Sequence, residues 1–197
     1  KYVVSFVSGG TPSKDNLDFW DGDIPWASAK DLKQNQISNT RDHLTRFAIE
    51  FGAARMVPAN SVLVVVRGMI LAKAFPVTES LVPMAINQDL KALIASPKLD
   101  RRFLAYLLIG LAGESRSRLE EAGHGTKALR MDMWTSMELS VPPIAEQYEI
   151  FEHLNRETHR IDALIKKTNR SIDLLKERRA ALITAAVTGQ IDVRETA

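Results

Sequence analysis

Apolar positions follow two different patterns along this chain. Over residues 144–187 they recur in alternating steps of three and four: Phe151, Leu154, Thr158, Ile161, Ile165, Thr168, Ile172, Leu175, Arg179, Leu182 and Ala186. That spacing is a coiled-coil seam of about five heptads, widened by Leu164, Leu174, Ile183 and Val187. Pro143 suits the first turn of a helix and Gly189 its end, and neither residue type occurs between them. A helix of that span is ~66 Å long, whereas a domain built from the rest of the chain is ~30 Å across. The seam therefore calls for a second long helix, and no other stretch of the chain supplies one. Phe151, Leu154, Ile161, Ile165, Ile172, Leu175 and Leu182 are the expected interface residues. The plainer alternative is a solvated amphipathic helix laid on its own domain.

Residues 1–143 carry short patterns instead, with all the prolines and every glycine but Gly189. The β-branched run "SVLVVVRG" (61–68) predicts a buried strand ended by glycine. "KYVVSFV" (1–7) and "MELSVP" (137–142) are further candidate strands. In "LDRRFLAYLLIGLAG" (99–113), Leu99, Phe103, Tyr106, Leu107 and Gly110 fall at helical spacing, predicting a core helix closed by Gly113. "GGTPSK", "WDGDIPW" and "AGHGTK" read as turns or loops. The expected class is α+β, with an antiparallel or mixed sheet. Residues 1–143 form a globular domain, 144–189 the long helix and 190–197 a tail.

Charge adds a direction to the helix pair. Residues 146–162 hold five acids against Arg156 and Arg160, and residues 166–179 hold six bases against Asp173 and Glu177. A parallel pair sets like charges together; an antiparallel pair sets acidic ends on basic ones. Each exposed pair is worth only tenths of a kcal/mol, but all act in the same sense. The chain has no cysteine and a net charge of +2. It has no apolar run of the ~18 residues a membrane span requires, and a cytoplasmic location is expected. It opens on Lys1 rather than methionine, so it reads as a piece of a longer protein.

Catalytic groups are sparse. His153 and His159 fall on different helix faces, and His43 and His124 are isolated. Neither GxxxxGK nor GxGxxG occurs. Asp23, Asp31 and Lys33 come nearest to a constellation, since an acid followed by acid-x-lysine can hold Mg²⁺ and position a water in a nuclease. The loops offer DNA-binding chemistry instead. "GGTPSK" supplies Thr11, Ser13 and Lys14; "RGMILAK" supplies Arg67 and Lys73; "GHGTKALR" supplies Thr126, Lys127 and Arg130; Lys30 stands in "ASAKDLK". Glycine backbones, hydroxyls and cations suit phosphates, and arginine can read guanine. A coiled-coil adaptor without a DNA role is the remaining rival.

Taken in order, "GGTPSK", "GDIPWASAKDLK", "VLVVVRG", "INQDLKAL", "GTKALRMD", "VPPIAEQ" and "RRAALITAAVTGQIDV" resemble the specificity subunit of type I restriction–modification enzymes over nearly the whole chain. The resemblance implies a non-catalytic subunit whose two target-recognition domains each read half of a split DNA site. Each domain is followed by a long helix, and the two helices pair antiparallel and set the spacing. It implies double-stranded DNA, methyltransferase subunits and, through the complex, a restriction subunit as partners. S-adenosylmethionine, ATP and Mg²⁺ belong to those partners, with no cofactor or metal in this chain. One recognition domain and one helix make half of such a subunit, matching the C-terminal half, or a half-length subunit that dimerises. Where family members continue "RGTIGK", this chain has "RGMILAK".

Overall fold

The structure, a computed structural model, describes residues 3–191. The chain divides into two compact units, the first ending at Phe151 and the second beginning at Glu152. The first half of unit one contains β1 (Val4–Ser8), β2 (Trp20–Ala27), β3 (Gln36–Ile37), β4 (Asp42–Leu44), α1 (Arg46–Glu50), β5 (Met56–Val57) and β6 (Val62–Val65). There follow β7 (Arg67–Gly68), β8 (Val77–Ser80), β9 (Met84–Ile86), β10 (Leu90–Ala95), α2 (Arg101–Gly110) and α3 (Ala112–Arg116). The last elements are β11 (Leu119–Glu121), β12 (Lys127–Leu129), α4 (Met131–Thr135) and α5 (Ile144–Val187), whose opening turns belong to unit one.

These strands form three sheets: five strands in the order β1-β10-β6-β8-β3, four in the order β4-β2-β9-β5, and three in the order β11-β12-β7. Pairing is antiparallel except between β2 and β9 and between β3 and β8. The fold is α+β with mixed sheets. Its main core gathers the buried faces of β6, β8, β9 and β10 with Phe103, Leu104 and Leu108 of α2 and Trp134 of α4. All four residues of β6 are buried, as a β-branched run ended by glycine demands. A smaller core forms around Phe19, Trp26 and Leu44.

Three local expectations are corrected. "WDGDIPW" is not a simple turn but lies in β2, where both Trp20 and Ile24 register with Leu44, so that Asp21-Gly22-Asp23 bulge out. Asp21 accordingly has φ 59°, and a Cβ on Gly22 would meet the Leu44 carbonyl oxygen at 2.4 Å. "MELSVP" pairs with no described strand; Met137, Leu139 and Val141 line an apolar cavity beside β1 and α2, so the alternation half-buries Met137 and Leu139 without a ladder and leaves Val141 exposed. The helix at 99–113 is broken at Leu111 (φ −93°, ψ 16°) into α2 and α3, and Gly113 lies inside α3 instead of capping. Its buried face is Phe103, Leu104 and Leu108, with Tyr106 and Leu107 half-buried and Gly110 exposed. The strand expected at 1–7 is β1; Lys1 and Tyr2 lie outside the described residues.

Ion pairing also reaches the interior. Glu79 of β8 is buried, with Arg101 Nε bonded to Oε1 and Gln36 Nε2 donating to Oε2 at 3.0 Å. The start of α5 is fastened by Gln147, which is fully buried. Its Oε1 accepts from the Asp100 amide at 2.8 Å, and its Nε2 donates to the carbonyls of Lys98 at 3.0 Å and Pro142 at 2.8 Å. Arg102 lies 4.2 Å over the Phe151 ring and 5.7 Å over that of Tyr148, and Tyr106 meets Phe151 edge-on at 5.8 Å.

In unit two, α5 runs on to Val187 and ends at Gly189 (φ 73°). The Gln190 amide donates to Ala185 at 2.8 Å and the Gly189 amide to Ala186 at 3.3 Å, which is a Schellman closure. Leu154, Ile161, Ile165, Ile172, Leu175 and Leu182 are between 37% and 64% exposed, whereas Phe151, in unit one, is buried. No helix among the described residues is long and apolar enough to cross a membrane.

Gly9 illustrates how tightly the first unit is closed. A Cβ there would stand 1.9 Å from the Ile86 carbonyl oxygen, with backbone on both sides of the contact. Gly9→Ala should cost about 1–3 kcal/mol, which is ~2–12 °C of melting temperature. Gly113→Ala, in open space within α3, should raise stability by ~1 kcal/mol. Calorimetry on the two variants checks both signs.

Candidate nucleic-acid interface

The loop carrying Thr11, Ser13 and Lys14 is held by two indoles. Trp26 Nε1 donates to the Gly10 carbonyl and Trp20 Nε1 to that of Ser13, both at 3.0 Å, and the two rings meet edge-on at 5.3 Å. The glycine pair therefore has a different use from the phosphate approach expected of it. Gly9 lies against Ile86 and Asn87, and the Gly10 amide donates to the Ile86 carbonyl at 2.9 Å. What the loop presents outward is Thr11, Ser13 and Lys14, all exposed.

From Thr11 a continuous strip leads across the unit. The Thr11 hydroxyl bonds the side chain of Gln88, in the turn between β9 and β10. The neighbouring Asp89 carbonyl accepts from the amides of Val66 at 2.8 Å and Arg67 at 3.3 Å. Arg67 pairs across β7 and β12 with Ala128, and Gly68 with Lys127. The structure thus brings the backbones of Thr11, Arg67, Thr126 and Lys127 together from three distant parts of the sequence, with Arg67 and Lys127 on opposite faces of the β7/β12 ladder. Lys127 lies 3.6 Å from Glu121, and Arg130 lies 3.7 Å from Asp132. Gln88 is a member of this strip that sequence reasoning missed; it carried no signal beyond a polar turn.

Lys30 lies elsewhere, on the loop between β2 and β3, where Lys33 and Arg41 join it around a polar concavity. Arg41 was also missed. Asp31 organises this loop: its Oδ2 accepts from the Ser28 amide at 2.9 Å and hydroxyl at 2.8 Å, and its Oδ1 from the Arg41 amide at 3.2 Å. A carboxylate so engaged is a structural acceptor, and nothing here supports the metal-nuclease reading of Asp23, Asp31 and Lys33. Among the described residues no group of three or more His, Cys, Asp or Glu side chains is placed to hold a metal ion.

"RGMILAK" follows its own path. Gly68 has φ 154°, and Met69–Ala72 form a 3-10 turn with Leu71 fully buried. Arg116 clamps it by donating to the carbonyls of Leu71 at 3.2 Å and Ala72 at 2.5 Å. Lys73 stands exposed just beyond. The buried side chain of Leu71 fixes the turn.

This chain, an α+β unit continued by a long seam-bearing helix, matches the type I restriction modification DNA specificity domain over residues 3–174. The chain belongs to that family. Among its relatives is the EcoR124I/EcoR124II specificity subunit of Escherichia coli, 32% identical over 174 residues, covering 87% of this chain and 43% of that protein. The MjaIX specificity subunit of Methanocaldococcus jannaschii is 24% identical over 180 residues, covering 90% and 40%. The fold is shared with the HsdS subunit of Thermoanaerobacter tengcongensis, at TM-score 0.63, 17% identity and coverage of 84% and 37%. It is shared too with a chain from a structural study of complex assembly and conformational transition in the type I R-M system, at TM-score 0.75, 18% identity and coverage of 93% and 43%. This chain spans about two fifths of the length of those curated relatives.

Proposed function

We propose that this chain reads one half of a bipartite DNA site for a type I restriction–modification complex and performs no chemistry itself. Its long helix pairs antiparallel with a second such helix, from the other half of the subunit or from another copy, and so spaces two recognition units and docks methyltransferase subunits. Cofactor chemistry, with S-adenosylmethionine, ATP and Mg²⁺, then falls to the partner subunits. One observation carries the DNA reading. Lys14, Lys30, Arg67 and Lys73 are exposed, and none forms an ion pair with a carboxylate among the described residues. Cations left unpaired on one unit of a family of DNA specificity domains are available to phosphates and guanine edges.

Titration of duplex DNA at several salt concentrations tests this. Log affinity should fall linearly with log salt, and alanine at Lys14 or Lys127 should reduce the slope by about one for each phosphate contact removed. Alanine at Arg67 should relax base preference at one position by about 1–3 kcal/mol. Alanine at Arg130 should weaken binding across sequences. Unchanged binding by all four variants would place the interface on another face, and binding without salt dependence would favour the adaptor reading.

A further inference from the structure

A groove in the first unit combines chemistry that phosphate binding leaves unused. One wall is the segment 29–35; the other is Gly68–Ile70 with residues 74–77. Its floor is apolar, with Leu32, Phe75 and Val77 buried. Lys30, Lys33, Gln34 and Asn35 line it, and no carboxylate does among the described residues. Met69 is 68% and Ile70 38% exposed at its edge.

These side chains are held out by design of the backbone. Leu71 anchors the 3-10 turn in the core, and the amides of Lys73 and Ala74 both donate to the Ile70 carbonyl at 2.9 Å. On the opposite wall, the Gln34 carbonyl accepts from Thr78 Oγ1 and the Asn35 carbonyl from the Glu79 amide, each at 2.8 Å. The segment of Gln34 and Asn35 is thereby fixed to β8, while no described residue bonds the side-chain amide of either. The groove thus presents free carboxamides, a methionine, an isoleucine and two lysines to solvent.

We propose that this groove reads an A·T base pair from the major-groove side. The proposal rests on the DNA-recognition reading above. A carboxamide matches the adenine N6 donor and N7 acceptor together, and apolar side chains match the thymine C5-methyl, which only the major groove displays. Met69 and Ile70 take the methyl, Gln34 and Asn35 take the adenine edge, and Lys30 and Lys33 take flanking phosphates. A G·C pair offers neither the methyl nor the adenine donor–acceptor pair, so the groove discriminates by what it leaves unpaired.

The full chain is used to select duplexes from a random library at low salt, about 50 mM. The selected sequence is then remade with deoxyuridine for thymidine, one position at a time, and with 7-deazaadenine at the paired base. Loss of the methyl should weaken binding about fourfold at one position, and loss of N7 about tenfold. In Met69→Ala/Ile70→Ala the deoxyuridine penalty should vanish while the deazaadenine penalty persists. In Gln34→Ala/Asn35→Ala the pattern should reverse. Selection that succeeds with no position sensitive to deoxyuridine, or a penalty unchanged in the first variant, overturns the groove assignment and leaves the DNA reading standing. Failure to select any sequence overturns both.

Discussion

Gln147→Leu should lower the melting temperature of this protein by about 4–12 °C. Leucine nearly matches the volume of glutamine, so packing around the fully buried site survives and the loss is polar. The Asp100 amide, in a buried residue, loses its acceptor, and the carbonyls of Lys98 and Pro142 lose their donor. An unpaired buried group costs about 1–3 kcal/mol. The two carbonyls belong to residues closer to solvent, where water replaces much of the bond, so the Asp100 amide dominates. A total of ~2–3 kcal/mol follows, at ~2–4 °C per kcal/mol for a domain of this size. Calorimetry of variant and parent is sufficient. A shift under about 2 °C would mean that the three bonds are replaced by water at little cost, and that Gln147 is not what fastens the helix start.

The second large effect is on association. Ile165→Asp should abolish pairing through the long helix while leaving the helix itself intact. Ile165 is 52% exposed in the single chain, so aspartate there costs the isolated helix only tenths of a kcal/mol in propensity. In a paired seam the same carboxylate loses water without gaining a partner, at a cost of several kcal/mol. Sedimentation should show the parent associating and the variant monomeric, with equal helical signal in circular dichroism. Association of both to the same extent would move the interface away from the seam. A parent that stays monomeric alone but pairs with the other half of such a subunit, through Ile165, would assign the seam to the unlike partner.

How much the sequence disclosed depends on the range of the interactions involved. The long helix was legible because its signals are local: a three-four repeat, a proline before Ile144 and a left-handed glycine at 189. β6 was legible for the same reason, as a run whose four residues are all buried. The bulge at Asp21–Asp23 was not, because it exists only in register against Leu44. Gly9 advertises backbone closeness, but only the fold says closeness to what, and the answer is Ile86. Strands of two or three residues, such as β3, β5 and β7, are too short to carry a period. The groove pairs Gln34 and Asn35 with Met69 and Ile70; polar loop residues of that kind have no pattern until the fold brings them together. Of the loop residues singled out from sequence, Thr11, Arg67, Thr126 and Lys127 share one strip of backbone, while Lys30 lines the groove and the neighbouring concavity.

The overlap at the start of α5 bears on how such chains could exchange parts. Tyr148 and Phe151 lie on the helix but pack on Arg102, while Gln147 reaches Lys98 and Asp100. A genetic crossover placed at Pro143 would hand a foreign helix start to a recipient whose Arg102 and Tyr106 were shaped for Phe151. A crossover beyond Phe151 carries the whole fitted set as one inheritable cassette. The first compatible splice point therefore falls two turns inside the helix, downstream of the proline that a reader of the sequence would choose.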